Sequence, residues 1–206
     1  VSNFTYLMKN KILVVIALFF TFTQLSAQNS DRPRHISLSF NAVDVYPTGV
    51  KGDEPFSPQG EFLEDFFNIS DHWNLGGPTI SLSRSIIGGF SIGARLSLNY
   101  IKKVEGQSDF QYPYFAAGGF LKQTFFSNKK IRPFIAIGYG ISDIDYSSNN
   151  NLNLLSSNTT SYNLNGGLGF DIKLSESAGL TLESTYHNPV ETTGIKHFRH
   201  QFGVYY

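Results

Sequence analysis

Period-two alternation of apolar and polar residues recurs along this chain, and it allows little except strands that face two different environments. The plainest stretch is Phe90 to Tyr100. Phe90, Ile92, Ala94, Leu96, Leu98 and Tyr100 share one side of an extended backbone, and Ser91, Gly93, Arg95, Ser97 and Asn99 share the other. The same pattern sets Ile36, Leu38 and Phe40 against Ser37, Ser39 and Asn41, and, in a strand from about Trp73 to Ser83, Ile80 and Leu82 against Thr79, Ser81 and Ser83. Further on, Ile135, Ile137, Tyr139 and Ile141 oppose Ala136, Gly138, Gly140 and Ser142. Tyr162, Leu164, Leu168, Phe170 and Ile172 oppose Asn163, Asn165 and Asp171, and Leu180, Leu182 and Tyr186 oppose Thr181, Glu183 and Thr185. The stretch Tyr112 to Phe126 is also a strand, but Ala116-Ala117 and Gly118-Gly119 between aromatic ends leave its faces unassigned and leave room for a bulge.

The final residues repeat the pattern. Phe198, Phe202, Val204 and Tyr206 fall on one face, with His200 the exception, and Arg199, Gln201 and Gly203 fall on the other. This is expected to be the closing strand of the sheet, the eighth, paired with the strand around Ile36 to Phe40.

The opposite end reads as an export signal. Lys9-Asn10-Lys11 precedes the apolar run Ile12 to Phe20, and Leu25-Ser26-Ala27 offers a small-residue cleavage site, so residues 1–27 are expected to be removed between Ala27 and Gln28. Met8 is the natural start of such a peptide. A transmembrane anchor is the alternative, but the apolar run is shorter than the ~20 residues needed to span a bilayer. Residues 28–206 then form one β-domain. The chain has 0 cysteines, which excludes a disulfide framework, a thiolate metal site and a lipid-modified N-terminal cysteine. Lys+Arg and Asp+Glu both number 16, which argues against a nucleic-acid partner or a polybasic membrane patch. Mean hydropathy is −0.14, and after Gln28 no apolar run approaches bilayer-spanning length, so a helical membrane protein is excluded. A transmembrane β-barrel is not, because its lipid-facing residues are diluted one for one by lumen residues.

Connections between the strands alternate long and short. The segments at about Pro47 to His72, Lys102 to Gln111, Ser147 to Ser161 and Asn188 to Lys196 are long, the Ser- and Asn-rich third of these is expected to be mobile, and the turns at Gly88-Gly89, Asn128 and Glu176 are short. The expected fold is therefore an all-β, eight-stranded, antiparallel up-and-down transmembrane β-barrel in the cell outer membrane. Its short turns and Tyr206 lie on the periplasmic side and its long loops outside. A soluble lipocalin-like barrel is the competing fold, since periodicity alone does not say which face is wet. The signal peptide, the terminal aromatic strand and the loop asymmetry favour the membrane barrel.

Trp73-Asn74-Leu75-Gly76-Gly77-Pro78, Gly93-Ala94-Arg95-Leu96-Ser97-Leu98-Asn99-Tyr100, Pro133-Phe134-Ile135-Ala136-Ile137-Gly138-Tyr139-Gly140 and the last strand, taken in order, resemble the small outer-membrane β-barrel family: the OmpA-like N-terminal barrel and its OmpX-like relatives. Longer members continue into a peptidoglycan-binding domain. This sequence stops at Tyr206, so cell-wall tethering is not implied. The resemblance implies internal ion pairs that plug the barrel, and Arg95, Lys122, Asp171, Glu183 and Arg199 are the candidates for that network. An arginine in mid-strand belongs inside, because a charge facing lipid at the bilayer midplane costs ~2–4 kcal/mol. Arg95 or Arg199 is expected to contact Glu183.

No catalytic, metal or cofactor residues are assigned. His187, His197 and His200 flank the last long loop, with Glu191 inside it and Ser184 nearby, which invites a metal site or a hydrolytic group of the kind used by lipid A-modifying barrels. Their spacing is not specific for either, and interfacial histidines are the plainer reading. Phe62, Leu63, Phe66 and Phe67 lie in an acidic first loop that either binds a surface ligand or packs on the rim as a short helix. The expected role is structural or surface-interacting and non-catalytic, with a narrow solute pore or a lipid A-modifying enzyme as alternatives. The expected partners are outer-membrane lipid and, during biogenesis, the secretion translocon and barrel assembly machinery. A monomer is expected.

Overall fold

A computed structural model describes residues 34–46, 50–51, 56, 58–64, 66–104, 111–144, 160–191 and 194–206. The expected signal segment and most of the Ser- and Asn-rich loop lie outside the described residues. The barrel strands are β1 (Arg34–Asp44), β4 (Trp73–Ile87), β5 (Phe90–Ile101), β6 (Tyr112–Thr124), β7 (Ile131–Ile144), β8 (Thr160–Lys173), β9 (Gly179–Pro189) and β10 (His197–Tyr205). Each pairs antiparallel with its sequence neighbour, and β1 pairs with β10, so the sheet closes in the order β1-β10-β9-β8-β7-β6-β5-β4. The closing register runs from Ser37 opposite Tyr205 to Asp44 opposite Phe198. Closure leaves no unpaired edge, which a wall in hydrocarbon requires.

The outer wall follows the alternation. Phe40, Ile137, Leu164, Leu168 and Val204 are exposed, while Ser39, Asn41, Ser97, Thr181, Glu183 and Thr185 are buried inside. The strand whose faces the sequence left open also alternates. Tyr112, Tyr114 and Ala116 are buried, and Phe120 and Lys122 reach lumen partners, so the even-numbered residues of β6 face inward. Its pairing with both neighbours is continuous, without the bulge that the Ala-Ala-Gly-Gly run suggested. The irregularities lie in β4 instead. Asn41 pairs with Gly77 and Ala42 with Leu75, which makes Gly76, at φ +122°, an extra residue. That bulge switches the inward parity of β4, so Asn74 and Thr79 both face the lumen.

Two lumen phenylalanines lie over glycines on adjacent strands. Phe120 pairs with Gly93 and Phe134 with Gly169, and a Cβ on either glycine would come 2.5 Å from the opposing ring. Small residues here let large rings lie flat against the wall. Gly169→Val is expected to destabilise the barrel by about 1–3 kcal/mol through overpacking, read as a lower urea midpoint with unchanged m-value.

The first long segment is more structured than a plain surface loop. It holds a two-stranded ribbon, β2 (Val50–Lys51) and β3 (Pro58–Gln59), and a single turn of helix, α1 (Ile69–His72). Lys103 Nζ donates to the carbonyls of Ile69 and Ser70, tying α1 to the next loop.

Candidate functional site

The inward side chains form layers between the loop end and the turn end of the barrel. Uppermost, at the loop end, lies an apolar cluster. Val43, Ile101, Tyr112, Tyr114 and Ile144 point inward from four strands, and Val45, Tyr46 and Val104 from the adjoining loops join them, with Phe56 and Ile195 packed alongside. Val43, Ile101 and Tyr112 are all 0% exposed. Burying each such side chain is worth about 1.5–3 kcal/mol, so this cap is a small hydrophobic core inside the mouth. Asn74 pins its edge: the side-chain amide donates to the Val43 carbonyl, and its oxygen accepts from the backbone N–H groups of Lys102 and Lys103.

Beneath the cap, hydrogen bonds cross the lumen. Tyr114 on β6 and His197 on β10 stand opposite one another, 3.0 Å apart from hydroxyl to Nε2. His197 Nδ1 lies 2.9 Å from the Ile195 carbonyl, which only accepts, so Nδ1 carries the proton and Nε2 of the neutral ring accepts from Tyr114. His187 stacks on His197 with ring centres 4.5 Å apart.

The next layer holds the charges. Arg95 on β5 reaches across to Glu183 on the diametrically opposite β9, and its two terminal nitrogens donate to the two carboxylate oxygens at 2.9 and 2.6 Å. Thr185 donates to one of those oxygens at 2.9 Å and Gln201 to the other at 2.8 Å. Arg95 Nε donates to Ser81, and the guanidinium lies 4.7 Å from the centre of the Phe120 ring. A bidentate pair of this kind is geometrically demanding, and here it is fully hydrogen-bonded at the carboxylate. Arg199 makes no such pair. It donates to Ser97 at 3.0 Å, and Ser97 also accepts from Thr79.

Toward the turn end, Lys122 donates to Asp171 at 2.7 Å and sits 3.8 Å above the Phe134 ring. Arg132 donates to the Tyr205 hydroxyl. Thus Arg95 meets Glu183 and Lys122 meets Asp171 as two separate pairs, with Arg199 beside the first. At the turn itself, Lys173 holds the exposed Glu176 carboxyl below its usual range, by hydrogen bond first and by charge second.

Outside the wall, the first loop folds back over the closing strand. Trp73 stacks on His200 at 3.8 Å with rings 9° apart, and its indole N–H donates to the Phe66 carbonyl. Phe66 meets both Phe198 and His200 edge-on, and Phe62 contacts Tyr186 and Phe198. His200, the exception on its face, is an outward residue covered by these rings. Phe198 is buried for the same reason, whereas Phe202, Val204 and Tyr206 remain exposed.

The sequence matches the family described as Outer membrane protein beta-barrel domain over residues 13–206. The chain belongs to this family. Its members are proteins of the outer membrane, so the exposed apolar wall of this outer-membrane β-barrel faces lipid. Solved structures share the fold. Neisserial surface protein A gives a TM-score of 0.51 at 12% identity, covering 84% of this chain and 94% of that one. The N-terminal β-barrel domain of OprF from Pseudomonas aeruginosa gives 0.50 at 9% identity, covering 85% and 98%. The outer membrane protein OprG from the same organism gives 0.50 at 12% identity, covering 84% and 94%. No curated protein sequence matches the chain.

The histidines of this outer-membrane β-barrel do not converge. His187 and His197 are inside and His200 is outside, and Ser184 lies opposite His200 in register, on the face away from His187. Among the described residues, no group of three His, Asp or Glu side chains is placed to hold a metal. The cap is what sequence reasoning missed. Its signal was present in Tyr112 and Tyr114, whose inward direction emerges only once Lys122 on the same strand is placed with Asp171.

Proposed function

We propose that this outer-membrane β-barrel is a sealed, non-catalytic membrane element that serves envelope structure or surface interaction through its long loops. The observation that carries this reading is the apolar cap. A mouth filled by Val43, Ile101, Tyr112, Tyr114 and Ile144 offers ions no hydration there, and the bidentate Arg95–Glu183 bond braces the lumen below it. An eight-stranded barrel has interior room for little beyond its own side chains. The long loops then face the exterior and the short turns the periplasm, by the usual asymmetry of such barrels. Residues 1–27 direct export and are cleaved off in the process, outer-membrane lipid is the constant partner, and the barrel is a monomer.

The test is conductance in planar bilayers. The sealed barrel is expected to give no open-channel steps, and sustained steps would replace this reading with that of a narrow pore. In parallel, the purified protein is incubated with labelled lipid A. Unchanged lipid is the expected outcome, and acyl release or transfer would make the protein an enzyme.

A further inference from the structure

Arg199 is the unbalanced charge of the lumen. It is 4% exposed, and the one carboxylate in its layer, Glu183, already receives four hydrogen bonds from Arg95, Thr185 and Gln201. Among the described residues, Arg199 Nε and His187 Nε2 are buried without hydrogen-bond partners. Below the cap, and among the described residues, the inward strand residues Arg95, Lys122, Arg132 and Arg199 face Asp171 and Glu183 as carboxylates. The lumen therefore carries excess positive charge in a place where an uncompensated ion is costly.

The same side chains line a cavity. Arg199, His187 and Asn165 border a space of about 30 Å³ that the Arg95–Glu183 pair also lines, and part of its wall is small, with Ala116 and Gly118. One water requires about 10–15 Å³ measured in this way, so the space has room for a water or a monatomic anion.

We propose that the lumen binds one halide-sized anion between Arg199 and His187. The anion accepts from Arg199 Nε and from His187 Nε2 in its protonated tautomer. Asn165, whose side-chain oxygen has no partner, can turn its amide to present the NH₂ group. Neutral water would satisfy these donors but leave the guanidinium uncompensated. Glu183 is bound by Arg95 in bidentate fashion, so the two arginines of this layer share one carboxylate and one positive charge is left over for the anion to balance.

Two measurements on the full chain test this. In crystals grown with sodium bromide, an anomalous peak is expected at hydrogen-bonding distance from Arg199 Nε and His187 Nε2, and water density without an anomalous signal there would overturn the proposal. Equilibrium unfolding is then compared in sodium bromide and sodium gluconate at equal ionic strength. Halide at ten times its Kd raises the folding constant about tenfold in the wild type and leaves Arg199→Met unchanged. Should Arg199→Met fail to fold, His187→Leu provides the same readout. A halide effect of equal size in the wild type and the variant would also overturn the site.

Discussion

Replacing Glu183 with alanine is expected to cost the folded barrel about 3–5 kcal/mol, the usual penalty for breaking a buried ion pair from one side. Much of that loss is not the value of the pair itself. Without the carboxylate, Arg95 and Arg199 share one layer with no acidic side chain beside them, and Thr185 and Gln201 lose their acceptor. Reversible urea unfolding in phospholipid vesicles measures the cost. A second substitution, Arg95→Met, made in the Glu183→Ala background should recover most of it, because the stranded charge is then removed as well. Equal, additive losses from the two substitutions would mean that the charges act independently of one another.

The second large effect belongs to the outer wall. Ile137 lies at the middle of β7 and points outward, 62% exposed. Ile137→Arg should cost ~2–4 kcal/mol, and the same substitution at Ile131, near the turn end of the strand, ~0–1 kcal/mol. The difference between the two positions is the informative quantity. A barrel whose outer face met water would treat them alike, so the depth dependence separates the membrane wall from the lipocalin-like alternative.

Most of the strand faces could be read directly, because every barrel strand but one sets serine, asparagine, threonine or a charge opposite branched or aromatic residues. β6 could not. Its inward residues are tyrosines at the loop end, alanine and glycine in the middle, and phenylalanine and lysine at the turn end. That mixture carries no contrast with the outward row, since polarity marks the lumen only where the lumen is wet. The cap was hidden for the same reason. Ile101 and Ile144 sit at strand ends, where a single apolar residue after the alternation looks like fraying. The pairing of Arg95 with Glu183 was within reach because only a few charges fall on inward positions. The assignment of Arg199 to Ser97, by contrast, depends on which strands stand opposite one another, and that becomes known only when the ring closes. His200 looked anomalous because its cover comes from the first loop, far away in the sequence.

That cover also turns the closing seam into something that can be watched. The chain has 1 tryptophan, and it lies on the ring of His200, a residue of the last strand, beside the junction with the first. Indole emission responds to what stacks on it, so the protein's own fluorescence reports whether first and last strands have met. Far-ultraviolet circular dichroism, in contrast, registers strand formation anywhere in the sheet. A lag between the two signals during refolding would time the zipping of the cylinder without an attached dye.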